Sequence, residues 1–371
     1  MRSVAALAIM LLAVSCGGNT GHSPSPAASA GATASPSASP SGGPAVASYG
    51  LLLTAGTLEM ITPAGTIAAH ATVAAPSVHT CGQSTGAVLQ PPVSASDNKV
   101  YYRDGNTKIK FLTPDGQTGD VTTVPGSATK VSFFSVSPDD SRIAVLVEDL
   151  SPSTTIKLSL YVEDLTGHTN HSVIFTNTVP KFKNATTLWP MGWHNGLLVL
   201  AVFPPCTFEP AGLVPIEWHV SNAVTAVRVA KIGNPCIPSY WPSPAGVLCL
   251  TATGGPGTAT LYDWSGKVIG GVPTDVNDFQ SGLSPSGQAI FFTPGVGIGA
   301  APPSTRIAAV APPNTFISVS GHAACLWIDE NTLLAPDAVI PVQRPSGGAW
   351  HAGFIALPAS GQCAGRFPGG L

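Results

Sequence analysis

The sequence predicts an all-β fold of short strands joined by tight turns, and three observations predict it. Gly (40) and Pro (36) are abundant among the 371 residues. Long helical periods are missing, and short apolar runs alternate with turn signals along most of the chain. Proline removes a backbone donor and glycine frees φ, a combination that suits turns and disfavours both helical bundles and βαβ units. Hydrophobic residues make up 44% of the chain, enough for a sizeable core, and charged residues only 9%. The net charge is −3, from 16 basic and 19 acidic residues. So few and scattered cations cannot neutralise a row of phosphates, which excludes nucleic acid as a partner.

The N-terminus reads as an address. Arg2 precedes an unbroken apolar run from Val4 to Val14, too short for a bilayer core that needs about 20 residues. It has the form of a signal-peptide core, which places the signal peptide at 1–15 and exports the rest. The segment Leu12-Ala13-Val14-Ser15-Cys16-Gly17-Gly18 resembles the lipobox of bacterial lipoproteins, with small Ser15 before the cleavage site. It departs from that pattern in having Ala13 three residues before the cysteine, where Leu is usual. The resemblance implies a diacylglyceryl group on the Cys16 thiol, and two or more acyl chains there would anchor stably. Residues 16–47 then form a Gly/Ser/Pro/Ala tract, including Ser35-Pro36-Ser37-Ala38-Ser39-Pro40-Ser41. It lacks the apolar side chains needed to offset the entropy of folding, so it is a tether with a reach of about 30 Å. The expected location is therefore the outer face of the cell membrane, with residues 48–371 as the folded domain.

Within that domain the clearest unit begins with the apolar stretch Val131 to Val136 and the turn Ser137-Pro138-Asp139-Asp140. Pro138 presets φ, and the acidic side chains can bond local amides. Strands Ile143 to Val147, Ile156 to Asp164 and Ser172 to Thr176 complete a set of four. The order recurs at Phe279 to Leu283 with Ser284-Pro285-Ser286-Gly287 and Ala289 to Phe292. It recurs again at Tyr240-Trp241 with Pro242 to Gly246, Val247 to Leu250 and Thr260 to Trp264, and at Val93 to Asn98 with Val100 to Tyr102 and Ile109 to Leu112. Seven units follow, at 46–80, 86–125, 130–178, 185–233, 236–273, 277–319 and 322–371, with a spacing of about 45 residues, near the period of propeller blades. These turns and apolar strands resemble the repeats of TolB-like and WD40-like β-propellers, although the Gly-His and Trp-Asp marks of WD40 repeats are absent. The resemblance implies a ring of most often seven blades, within a range of six to eight, and a partner-binding module. Tandem β-sandwiches are the alternative architecture.

Removing Cys16 from seven cysteines leaves an even set, Cys81, Cys206, Cys236, Cys249, Cys325 and Cys363, which in an exported chain suggests disulfides. The expected pairs are Cys206–Cys236 and Cys325–Cys363, with Cys81–Cys249 as the remainder. No CxxC spacing is present, so zinc and thioredoxin-like chemistry lack support.

Gly82-Gln83-Ser84-Thr85-Gly86 matches the nucleophile-elbow pattern, but Pro91 and Pro92 follow closely and no strand–helix context surrounds it, so it reads as a loop. Five carboxylate pairs could serve glycoside hydrolysis: Asp139 and Asp140, Glu148 and Asp149, Glu163 and Asp164, Asp275 and Asp278, Asp329 and Glu330. Neighbours on a strand point to opposite faces, which leaves Asp275 and Asp278 as the pair hardest to dismiss. His168 with His171, and His322 with Cys325, form no ligand tetrad and read as surface or capping residues. The tryptophans Trp189, Trp193, Trp218, Trp241, Trp264, Trp327 and Trp350 read as packing between sheets. No catalytic residue, metal or cofactor is assigned. The function expected is non-enzymatic binding of a protein, peptide or glycan by a membrane-anchored propeller. An extracytoplasmic enzyme such as a glycan-active hydrolase, and a structural subunit of an envelope assembly, are the alternatives.

Overall fold

Strands form where apolar residues recur, and they end where Pro, Gly and Asp supply turn geometry. The computed structural model describes residues 47–79, 87–88, 93–181, 185–205, 215–233, 236–251, 257–276, 278–294, 302–345 and 348–371. The signal run, Cys16, the tether up to residue 46, Cys81, Cys206 and the Gly82–Gly86 loop lie outside them.

Blade 1 begins with β1 (Tyr49–Thr54), β2 (Thr57–Ile61) and β3 (Ile67–Thr72). A two-stranded hairpin, β4 (Val78–His79) with β5 (Ala87–Val88), lies on the link to blade 2. Blade 2 comprises β6 (Val93–Ala95), β7 (Val100–Asp104), β8 (Lys108–Leu112) and β9 (Thr118–Thr123). Blade 3 comprises β10 (Lys130–Val136), β11 (Arg142–Asp149), β12 (Thr155–Asp164) and β13 (Ser172–Pro180). Blade 4 comprises β14 (Thr187–His194), β15 (Leu197–Phe203), β16 (Glu217–Asn222) and β17 (Arg228–Gly233). Blade 5 comprises β18 (Ile237–Pro238), β19 (Val247–Leu250), β20 (Gly257–Tyr262) and β21 (Val268–Thr274). Blade 6 comprises β22 (Asp278–Leu283), β23 (Ala289–Pro294), β24 (Ser304–Ala309) and β25 (Ile317–Ser320). Blade 7 comprises β26 (Leu326–Asp329), β27 (Thr332–Leu334) and β28 (Ala338–Gln343), with β29 (His351–Ala352) and β30 (Ile355–Ala356) both paired to β28. The last strand, β31 (Gln362–Phe367), pairs antiparallel with β1, from Tyr49 opposite Phe367 to Leu53 opposite Gln362. The chain is a seven-bladed β-propeller.

This closure corrects the first and last sequence units. The stretch 322–371 does not form one blade: its final strand crosses to the sheet begun by β1. Consecutive blades would otherwise meet at the seam by side-chain packing alone, whereas the crossing strand contributes a ladder of backbone hydrogen bonds.

Apolar residues are buried chiefly between blades. One cluster joins Phe133 and Leu146 of blade 3 to Trp189, Leu200 and Trp218 of blade 4. Phe133 stacks on Trp189 with ring centroids 4.0 Å apart. Fully burying one such side chain is worth about 1.5–3 kcal/mol.

The recurrent turn shares one geometry. In Thr62–Gly65, Thr113–Gly116, Ser137–Asp140, Asp263–Gly266 and Ser284–Gly287 the fourth amide donates to the first carbonyl. The fourth residue has positive φ, from 60° at Asp140 to 84° at Gly116, which explains why glycine fills it in four of the five.

The structure pairs Cys325 with Cys363, as expected, and Cys236 with Cys249 instead of Cys206. Cys249 lies opposite Pro238 in the β18–β19 ladder, so its nearest partner is Cys236 at a Cα separation of 5.3 Å. That geometry also removes the expected Cys81–Cys249 bond. Cys325–Cys363 ties the start of blade 7 to β31, across the seam. Replacing both by serine should lower stability by roughly 2–4 kcal/mol, read as a shift in the denaturant midpoint of unreduced protein. An unchanged midpoint would exclude a role for this bond in closing the ring.

Candidate functional site

The innermost strands converge on the ring axis and enclose a cavity of about 70 Å³. Its walls come from β1, β6, β14, β22, β26 and β31, with Trp241 to Ser243 following β18. A space this size holds on the order of five waters, far below the pockets of about 300–1,000 Å³ that enclose drug-sized ligands.

The two mouths of the ring differ. At one, the turns after the innermost strands touch in sequence. Asp97 N donates to Pro138 O (3.0 Å), Ser243 Oγ to Ser284 O (2.8 Å) and Ser286 Oγ to Glu330 Oε2 (2.6 Å). Residues 368–371 cross this short-turn mouth. Gly369 N donates to Ser96 O, and Leu371 N to Trp193 O, both at 3.0 Å. His194 Nδ1 bonds Leu371 O at 2.8 Å. Gly192 leaves room for the Leu371 side chain, whose Cδ1 lies 2.4 Å from where a Cβ would stand. Because Tyr49 is opposite Phe367, the folded chain also begins at this mouth.

The opposite mouth carries the links between blades and the turns between second and third strands. Gly105 N donates to Ala74 O, Lys181 N to Thr154 O and Leu357 N to Asp337 O there. The strand ends flanking the long connections 204–216 and 295–303 open on it.

Each carboxylate pair is engaged locally. Asp278 takes both its oxygens to Arg306 Nη1 at 2.8 and 2.7 Å, while Asp275 stands 3.9 Å from the same nitrogen. Arg306 also lies over the Phe316 ring at 4.2 Å. Burial, with Asp275 nearby, nevertheless holds the Asp278 carboxyl above its ordinary range. Glu148 is buried against Trp189, whereas Asp149 accepts from Ser151 at the strand end. Asp139 accepts from Ser137 Oγ (2.6 Å) and Ser141 Oγ (2.8 Å), and these bonds pull its carboxyl below the ordinary value. Asp140 accepts from Asn98, Asp329 from the Asn331 amide, and Glu330 from Ser286.

Two arrangements escaped sequence reading. His168 and His171, read as separate surface residues, both bond buried Glu163, Nδ1 to Oε1 at 2.7 Å and Nδ1 to Oε2 at 2.8 Å. The left-handed turn through Gly167, His168 and Asn170 brings them back over the strand. A carboxylate at a strand end followed by two histidines across a hairpin was the available signal. The second is Arg366 on β31, which is among the residues lining the axial cavity. His322 bonds Asp337 at 3.0 Å, apart from Cys325, which is in its disulfide. Among the described residues no group of three His, Cys, Asp or Glu side chains is placed to hold a metal ion.

Five tryptophans are buried between sheets: Trp189, Trp193, Trp218, Trp264 and Trp327. Three donate their indole N–H to a carbonyl of a neighbouring blade, Trp193 to Ser135, Trp218 to Ser239 and Trp327 to Gly282, at 3.2–3.3 Å. Trp241 instead lines the cavity, and Trp350 lies against Arg344.

No family model and no curated protein matches the sequence. Solved structures do. An oligogalacturonate lyase in complex with manganese is 12% identical, with 71% of this chain and 76% of that one covered and a TM-score of 0.44. An oligogalacturonate lyase from Vibrio parahaemolyticus is 8% identical over 71% and 76%, with a TM-score of 0.45. A chain of a mitotic checkpoint complex is 11% identical over 72% and 77%, with a TM-score of 0.43. None of these likenesses bears on activity, and the fold rests on the chain's own seven blades.

Trp327→Phe keeps an aromatic ring but removes the indole bond to the Gly282 carbonyl, so thermal or chemical unfolding should show a loss of roughly 0.5–1.5 kcal/mol. Asp139→Asn should lower stability at neutral pH by about 0.5–1 kcal/mol. A carboxyl held low in the folded state contributes stability above its unfolded value and loses it on acidification. The deficit of the variant should therefore shrink as pH falls below about 4; a deficit that stays constant down to pH 2 would contradict the assigned bonds.

Proposed function

We propose that this chain is an extracytoplasmic lipoprotein, anchored through Cys16, whose propeller binds a protein, peptide or glycan partner without chemistry of its own. The observation that carries the reading is the difference between the mouths. The folded chain begins at the short-turn mouth beside Phe367, and residues 368–371 lie across it. The long connections leave strands at the other mouth. The loop side is thus clear of the point where the described chain begins and of residues 368–371. Loops on a rigid scaffold are where recognition residues concentrate, and a ring locked by cross-blade hydrogen bonds supplies that rigidity. The tether preceding the domain, rich in Gly, Ser, Pro and Ala, gives the loop mouth freedom to reach its partner.

Metabolic labelling with a palmitate analogue tests the anchor: the native chain should be labelled and Cys16→Ser should not, and equal labelling refutes it. A photo-crosslinking residue at Ser153, in the turn between β11 and β12 on the loop mouth, should capture the partner in intact cells. The same residue at Ser265, in the turn between β20 and β21 on the other side, should not. Capture from Ser265 alone would place the partner on the turn mouth and overturn the loop-mouth reading.

A further inference from the structure

The axial cavity is apolar on most sides and cationic at one point. Leu51, Met191, Trp241 and Leu326 supply apolar wall, Arg366 is the one charged side chain among the lining residues, and Leu371, whose carbonyl bonds His194, closes one side. Arg366 is half-buried and is among the residues that line the cavity. Its Nη2 donates to Gly370 O at 2.9 Å. Among the described residues no carboxylate comes within ion-pair distance of it; Glu330 and Asp97 act only from farther away. Glu330 is engaged by the Ser286 amide and hydroxyl, at 2.5 and 2.6 Å. Asp97 faces Asp140 and is held above the usual carboxylate range by burial and that like charge. Neither is free to turn inward as a counter-ion.

Enclosing a cation without a counter-charge costs several kcal/mol. Burial pushes Arg366 down to about 10, which leaves it charged at neutral pH. A guanidinium presents a planar fork of donors that matches a carboxylate better than a spherical ion. The indole of Trp241 and the neighbouring aliphatic walls favour a ligand with an apolar body. The volume limits that body to a few heavy atoms.

We infer that the axial cavity is a binding site for a small aliphatic carboxylate, its anionic group on Arg366 and its apolar end against Trp241 and Leu326. The site is independent of the lipid anchor and of the partner at the loop mouth, so either can fail without the other.

Trifluoroacetate is a suitable probe, followed by 19F NMR with the full-length chain. Its line should broaden with the native protein and sharpen again on adding excess isobutyrate. Neutral trifluoroethanol, of similar size, should remain sharp. Arg366→Gln should weaken binding roughly ten- to a hundred-fold, the worth of a charge-assisted hydrogen bond, and Arg366→Lys should restore part of it. Because Arg366 also holds Gly370, Met191→Phe supplies a variant with the cation intact. It narrows the cavity and should weaken isobutyrate more than acetate. A trifluoroacetate line as sharp with folded native protein as in buffer overturns the proposal, as does equal broadening of trifluoroethanol. Displacement by chloride as effective as by isobutyrate would mark an inorganic-anion site and overturn the carboxylate assignment.

Discussion

A ring of sheets stands or falls at its seam, and here the seam is a strand exchange. Each blade covers the apolar face of the next, so an unclosed ring would leave two faces exposed. Pairing β31 with β1 places the two ends of the folded chain in one sheet. The Cys325–Cys363 bond then joins that sheet to blade 7. The same closure sets which mouth the chain enters and which mouth is left with the long connections.

Between seams, the blades keep their angle through directional contacts laid over apolar packing. Dispersion and burial favour contact between sheets without specifying registration. An indole N–H donating to a carbonyl on an adjacent blade does specify it: Trp193 and Trp327 donate to the preceding blade and Trp218 to the following one. The turns add a second tier. Ser243, Ser286 and Asn98 each reach the following blade's turn at the mouth crossed by residues 368–371. What results is a rigid frame with a small axial space and a cation inside it.

Much of this frame was legible in the chain. The Ser-Pro-Asp-Asp and Ser-Pro-Ser-Gly turns sit between first and second strands of blades 3 and 6, as their flanking apolar runs implied. Tryptophans near strands were legible as inter-sheet packing, because few other places accommodate an indole with its N–H satisfied. Cysteine pairing was less so. Cys236 and Cys249 are 13 residues apart, yet only the short β18–β19 ladder brings them together. The Glu163 pair of histidines depends on left-handed residues in a hairpin, which alternation of apolar and polar residues does not register.

Local chemistry, then, was determined by the sequence: where strands run, where they turn, and that seven such units follow one another. Those features depend on φ preferences and on apolar spacing within a few residues, which a linear chain states directly. Only the tertiary structure decided that the last strand belongs to the first blade, that residues 368–371 cross one mouth, and that Arg366, Leu326 and Trp241 line one cavity. Each of these joins positions far apart in the chain. The free energy of such contacts comes from closing the ring as a whole, and no local pattern encodes it.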